Sequence, residues 1–320
     1  MKPRLVFVHG IGAPRDVEAE QGEWLRALAE GARRAGHDRW VSALTGGWGA
    51  DTRFAHYGDL FHRAGAQGAD GSWGADEDEA LVAELLLEAI DEHLVDPGLA
   101  APERRVLLHA RARLAPAGQG QGLGNVGRRT LNALTTLTSA PGLRWFGDLA
   151  SSQLTLTVLG QVARYLNRGE PDSSGDSLDR RIRERVAGCL DQDGASVVVA
   201  HSLGTVVALE TLHEHKAEIP LLATLGSPLG MRTAVLPRTR PQPPSTPDVV
   251  GRWLNFWDRD DVIAARPVLE GFIRPNASQA GPVSDRVDSD GLWVHPAAKY
   301  LAHPAVAGPI VAALDTLAGQ

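Results

Sequence analysis

Cysteine is almost absent from this 320-residue chain: Cys189 stands alone, so no internal disulfide can form. Its place at the apolar end of a helical pattern reads as a small core residue rather than a catalytic thiol. Lysine is nearly as scarce, limited to Lys2, Lys216 and Lys299. There is no excess of positive charge either. The formal net charge is −7, which excludes a global basic field of the kind that draws in nucleic acid or anionic lipid. No apolar run reaches membrane-spanning length, and Leu5-Val6-Phe7-Val8 is too short for the core of a signal peptide. No transmembrane segment and a cytoplasmic location are therefore expected.

What the chain does have is 43% hydrophobic residues, enough for a substantial core. That length suits one α/β domain with a large insertion, or two domains. The run 5–8 has the continuous aliphatic character of a strand buried on both faces of a parallel sheet, and it ends in His9-Gly10-Ile11-Gly12. The spacing predicts a helix over 20–34 and a short strand over 40–44. Residues 65–79 form a polar loop, and 80–94 a periodic helix; 104–114 is ambiguous. Helical spacing resumes at 130–138 and 149–166 after a Gly/Gln-rich break. No strand signal of quality lies between Gly65 and Asp193, so residues 65–175 are expected to form a helical cap or lid insertion within a single domain spanning 1–320. Strands return at 196–200, 219–225, 251–257 and 283–287, with helices over 178–190, 206–213 and 306–317. Strands alternating with helices indicate a mostly parallel sheet.

One turn carries chemistry. Val197-Val198-Val199-Ala200 is a buried strand and 203–212 a helix, with Ser202 at the turn between them, flanked by Ala200 and Gly204. A nucleophilic serine on such an elbow needs small residues two places before and after, because strand and helix approach closely there. The plain alternative is a helix-capping serine. Upstream, the glycines of the His9-Gly10-Ile11-Gly12 turn would let main chain approach a substrate. An oxyanion hole built from the N–H groups of Ile11 and Leu203 follows.

The other two members of a triad should lie downstream in the order acid, then base. Asp258, Asp260 and Asp261 compete for the acid just past the strand Trp253–Trp257. Asp261, followed by Val262 and Ile263, is preferred; Asp258 is the second choice. Of eleven histidines, only His295 and His303 lie beyond Asp261. His295, after Leu292-Trp293-Val294, is the expected base, and His303 before Pro304 reads as a capping residue. His201 is expected to pack or hydrogen-bond beneath the elbow, and His9 to support the loop geometry.

Taken together, LVFVHGIG (5–12), VVVAHSLGT (197–205), TLGSPL (224–229), NFWDRDDVIA (255–264) and HPAAKYLAHPAV (295–306) resemble bacterial α/β-hydrolases of the lipase/esterase kind. The resemblance covers roughly residues 1–60 and 180–320. It implies an α/β-hydrolase fold lacking the first two strands, plus the helical insertion. It also implies Asp261 as the acid, and His295 ahead of Tyr300-Leu301 and Pro304 as the base. The expected function is hydrolysis of a carboxylic ester, thioester or amide through an acyl-enzyme on Ser202. The substrate would be a small acyl compound; no metal or organic cofactor and no nucleic acid partner is expected. A catalytically silent binding protein and an acyltransferase using the same triad are the competing readings.

Two further signals are weaker. Gly122-Leu123-Gly124-Asn125-Val126-Gly127 matches a dinucleotide-binding glycine pattern, but neither the preceding strand nor the later acidic residue is in place. Leu131, Leu134, Leu137, Trp145, Phe146, Leu154, Leu156 and Leu159 either line an apolar acyl site or pack the insertion internally.

Overall fold

A computed structural model describes residues 2–10, 16–61, 76–95, 97–114, 130, 132–133, 136–137, 152–261, 263–264, 267–289 and 294–319. Six strands form one sheet, every pair parallel: β1 (Arg4–Val8), β2 (Asp51–Ala55), β3 (Ser196–His201), β4 (Leu221–Leu225), β5 (Trp253–Asp258) and β6 (Pro282–Val287). The spatial order is β2-β1-β3-β4-β5-β6. The helices are α1 (Val17–Arg34), α2 (Asp38–Thr45), α3 (Asp76–Leu94), α4 (Ala101–Leu114), α5 (Ser152–Leu166), α6 (Leu178–Ala187), α7 (Leu203–Leu212), α8 (Ala297–Leu301) and α9 (Pro304–Ala318).

Helices cover both faces of the sheet, which explains why its central strands are apolar without alternation. Successive side chains of a strand point to opposite faces. Val6, Val8, Val198 and Ala200 enter one core with α3, α4, α5, α6 and α7; Leu5, Phe7, Val197 and Val199 enter the other with α1, α2, α8 and α9. From β1 the chain steps outward to β2, returns across β1 to β3, and then moves steadily away to β6. The strand order therefore reverses between β1 and β3. In open parallel sheets a crevice opens at the carboxyl ends of the strands at such a reversal. Here those ends are His9-Gly10 and His201-Ser202.

The strand expected over 40–44 is instead the middle of α2. Trp40, Ala43 and Leu44 are all buried, a spacing of one helix face, and the Trp40 indole N–H donates to Asp315 Oδ1 of α9 at 2.6 Å. Five apolar-rich residues fit either period, so pattern alone could not decide. The strand comes later, at β2, whose Asp51-Thr52-Arg53 start is polar because it lies on the sheet edge. The ambiguous stretch 104–114 belongs to α4. Cys189, just past α6, is only partly buried, and burial raises its thiol pKa.

The described helices of the 65–175 block pack directly on the sheet. Leu81, Leu85, Ile90, Leu107, Leu137, Leu159, Val162 and Tyr165 share a core with Val6, Val8 and Val198. Of the other apolar positions proposed to line an acyl site, Leu131, Leu134, Trp145 and Phe146 fall outside the described residues, as do Gly122–Gly127; Leu154 and Leu156 lie on α5.

Two buried polar clusters fasten this block. Glu88 of α3 accepts from the main-chain N–H groups of Arg232, Thr233 and Ala234 and from the Thr233 hydroxyl, the last two at 3.0 and 2.8 Å. A buried carboxylate satisfying that many donors leaves them stranded if removed. Glu88→Ala is expected to destabilise the fold by about 3 kcal/mol in urea titrations, because each stranded buried donor costs 1–3. The second cluster is Arg168, which donates to Asp179 of α6 (2.9 Å), Glu210 of α7 (2.6 Å) and the carbonyl of Arg238 (2.7 Å). Tyr165 adds a bond to Glu210 at 2.7 Å. No helix among the described residues is long and apolar enough to cross a membrane.

Candidate active site

Ser202 is the residue between β3 and α7, and its backbone sits at φ 53, ψ −129, a region that a non-glycine residue occupies only under constraint. Three hydrogen bonds hold it there. Its N–H donates to Leu225 O across to β4 (3.0 Å), while its carbonyl accepts from the Thr205 N–H (3.0 Å) and the Thr205 hydroxyl (2.7 Å). Glycine at 204 has a steric cause. A Cβ there would lie 2.4 Å from His9 O and 2.6 Å from Val8 O, so nothing larger lets α7 approach the end of β1. Gly10 is equally confined, since its Cβ would fall 2.8 Å from that of Ser202.

Although Ser202 is the residue ahead of a helix, its side chain makes no capping bond. Its Oγ instead lies 3.1 Å from His295 Nε2. On the far side of that ring, Nδ1 is 2.9 Å from both carboxylate oxygens of Asp261. Residues 202, 261 and 295 thus come together in one hydrogen-bonded line, from the ends of β3, the turn after β5 and the approach to α8. The Asp261 side chain is 0% exposed and that of His295 21%, and Ser202 is buried, so of the three the histidine reaches furthest toward solvent.

Asp261 is held from several directions. Tyr300 of α8 donates its hydroxyl to Asp261 Oδ2 at 2.7 Å, and the Ile263 N–H donates to Oδ1 at 3.0 Å. Burial alone would raise its pKa. The facing His295 imidazole, with the hydrogen bonds from His295 and Tyr300, outweighs burial and leaves the carboxyl below its ordinary value. Burial, and then the neighbouring Asp261 charge, push the Tyr300 phenol far above its usual range, which keeps it a donor. Gly226, at φ +54, ends β4 against this group; a Cβ there would meet Asp261 Oδ2 at 2.6 Å and His295 Nδ1 at 3.3 Å. Neither Tyr300 nor Gly226 carries a role in the sequence reading. The signal available was a glycine closing an apolar strand in TLGSPL, and the lone aromatic in the helix after His295.

Asp258 faces elsewhere. Its Oδ1 accepts from the Asp260 N–H at 2.9 Å and its Oδ2 from the Ser289 N–H at 2.6 Å, so it ties the β5 turn to the chain after β6. Asp260 is exposed beside Arg259. His303 caps α9, accepting from the Ala305 N–H at 3.3 Å. His9 is buried with its Nε2 2.8 Å from Glu20 of α1, and its carbonyl accepts from the Tyr57 hydroxyl at 2.5 Å. Ile11 lies outside the described residues. Leu203 opens α7, so its N–H has no intrahelical acceptor and stands beside Ser202 at the helix start.

Such a line of serine, imidazole and carboxylate can move a proton off the serine as its oxygen attacks an electrophilic carbon. Among the described residues no group of three or more His, Cys, Asp or Glu is placed to hold a metal ion. No family model, no curated protein and no solved structure matches the chain, so its chemistry is read from this geometry alone.

Proposed function

We propose that the protein is a serine hydrolase of the α/β-hydrolase kind, cleaving a carboxylic ester, thioester or amide through an acyl-enzyme on Ser202. The observation that carries this reading is the unbroken line from Ser202 Oγ through His295 to Asp261, at 3.1 and 2.9 Å, on a strained strand-to-helix turn. Its place at the reversal of strand order adds support, since ligands of parallel sheets gather there.

In this reading His295 Nε2 takes the Ser202 proton as Oγ attacks the carbonyl carbon. Asp261 accepts from Nδ1–H, fixing the tautomer that leaves Nε2 free to receive a proton, and stabilises the imidazolium that forms. The Leu203 N–H, and the Ile11 N–H assigned from the sequence, donate to the developing oxyanion. The imidazolium then returns the proton to the leaving group. Water, deprotonated by the same nitrogen, attacks the acyl carbon and releases the carboxylate with Ser202 restored. The small acyl substrate and the cytoplasmic location are part of the same proposal and rest on the sequence.

A fluorophosphonate probe tests it directly. Wild type is expected to be labelled on Ser202, and Ser202→Ala, still folded by circular dichroism, not at all. Well-folded wild type that resists the probe and a panel of graded esters and thioesters would leave a binding protein as the better reading.

A further inference from the structure

We infer that His201 is a positioning residue for this reaction: its Nε2–H donates to the main-chain carbonyl of His295 and sets where the base presents itself to Ser202. The inference rests on the hydrolase reading above and adds to it a second histidine that acts through the first.

The geometry is specific. His201 Nε2 is 2.6 Å from His295 O, and the two imidazole rings lie side by side, tilted by 42° with centroids 4.6 Å apart. His201 is buried, with the edge of Trp24 against it at 6.0 Å between centroids. A carbonyl oxygen only accepts, so Nε2 must carry the hydrogen and the other ring nitrogen is bare. The chain after His295 explains why this bond matters. Residue 296 is proline, which has no N–H, so the carbonyl of His295 is the one polar group that the His295–Pro296 peptide can use as an anchor. The imidazole of His201 takes that anchor point.

Its location gives the bond a purpose beyond packing. His201 and Ser202 are adjacent at the end of β3, so one two-residue segment carries the nucleophile and also the donor that locates the base. Any shift of the β3 end moves both partners of the proton transfer together. Burial, and then the neighbouring His295, hold the His201 imidazole well below its ordinary pKa, so it stays neutral. Of the two neighbouring rings, only His295 is hydrogen-bonded to a carboxylate that supports a positive charge.

Three variants and one measurement on wild type test the assignment. His201→Gln keeps an N–H donor of similar reach, His201→Phe keeps a ring without the donor, and His201→Ala keeps neither. With an ester that wild type turns over, Phe and Ala are expected to lose about 10- to 100-fold in kcat, the scale of a misplaced catalytic group. KM should stay within about threefold, because substrate contacts are untouched. Fluorophosphonate labelling should slow in parallel, and Gln should recover most of the loss. A Phe variant as fast as wild type, or a Gln variant as slow as Ala, overturns the proposal. So does a loss that follows thermal midpoint rather than donor content. Should the variants not fold, ¹⁵N imidazole spectra of wild type decide: a neutral Nε2–H tautomer for His201 at pH 7 is expected, and an Nδ1–H tautomer or a cation overturns it. Wild type with no labelling and no turnover would sink the hydrolase reading, while the spectra still report on the His201 bond.

Discussion

On the proposed mechanism, Asp261→Asn is expected to lower kcat by about 10⁴-fold, the cost of presenting the base in the wrong tautomer. Both carboxylate oxygens lie 2.9 Å from His295 Nδ1, and one is further fixed by Tyr300 and the other by the Ile263 N–H. An asparagine in that space turns an NH₂ group toward Nδ1 or loses one of the two supporting donors. With Nδ1 accepting, the hydrogen moves to Nε2, which then cannot take the Ser202 proton. Asp258→Asn is the matched control. Its two oxygens serve the N–H groups of Asp260 and Ser289, and neither is bonded to the histidine. The expected loss there is less than tenfold in kcat, with about 1 kcal/mol of stability from one weakened hydrogen bond. Steady-state kinetics on the best ester found by the panel checks both variants. If Asp258→Asn were the more damaging of the two, the acid would have to be reassigned.

The second large effect is steric. Gly204→Ala is expected to destabilise the protein by about 3 kcal/mol and to abolish activity, although the same change inside an ordinary helix gains about 1 kcal/mol from propensity. The sign reverses because the added methyl group would meet the carbonyl oxygens of His9 at 2.4 Å and Val8 at 2.6 Å. Both are main-chain atoms in or beside a central strand, with no rotamer to move away. Relief requires α7 to lift from β1, which carries Ser202 out of line with His295. Gly22→Ala in α1 serves as the counterpart. Beyond its chain neighbours, its new Cβ meets only the tip of the Arg26 side chain, with Nη1 at 3.2 Å free to swing aside, so a gain of about 0.5–1 kcal/mol is expected. Urea midpoints of the two variants should move in opposite directions. A Gly204→Ala protein of unchanged stability would contradict the close approach that shapes the elbow.

Much of the sheet was legible because its central strands are short apolar runs bounded by turn residues, as at 5–8 and 196–200. The edge was not. Asp51-Thr52-Arg53 reads as a polar turn until β1 is known to offer it a hydrogen-bonding partner. Trp40–Leu44 failed for a different reason: the contact of its indole with Asp315 comes from the far end of the chain, where no local pattern can reach. In the candidate site, spacing and order singled out Ser202 and His295, which the structure places 3.1 Å apart. Asp261 was preferred to Asp258 on local sequence, while the contacts that set the two carboxylates apart come partly from afar, from His295 and Tyr300 on one and Ser289 on the other. The His201 bond was hidden for another reason: its acceptor is the main-chain carbonyl of His295, and spacing says nothing of where a carbonyl points.

The strand order has a consequence for how the chain is made. β1 is synthesised long before its partner on the inner side, β3, with Arg4 opposite Ser196. At a synthesis rate of about 5–20 residues per second, roughly 190 intervening residues take about 10–40 s to appear. Throughout that interval Leu5-Val6-Phe7-Val8 has no partner on one edge, a short apolar segment of high strand propensity open to pairing with other nascent chains. Production of soluble protein should therefore respond to slower translation, lower temperature and chaperone supply more than the stability of the finished fold would suggest.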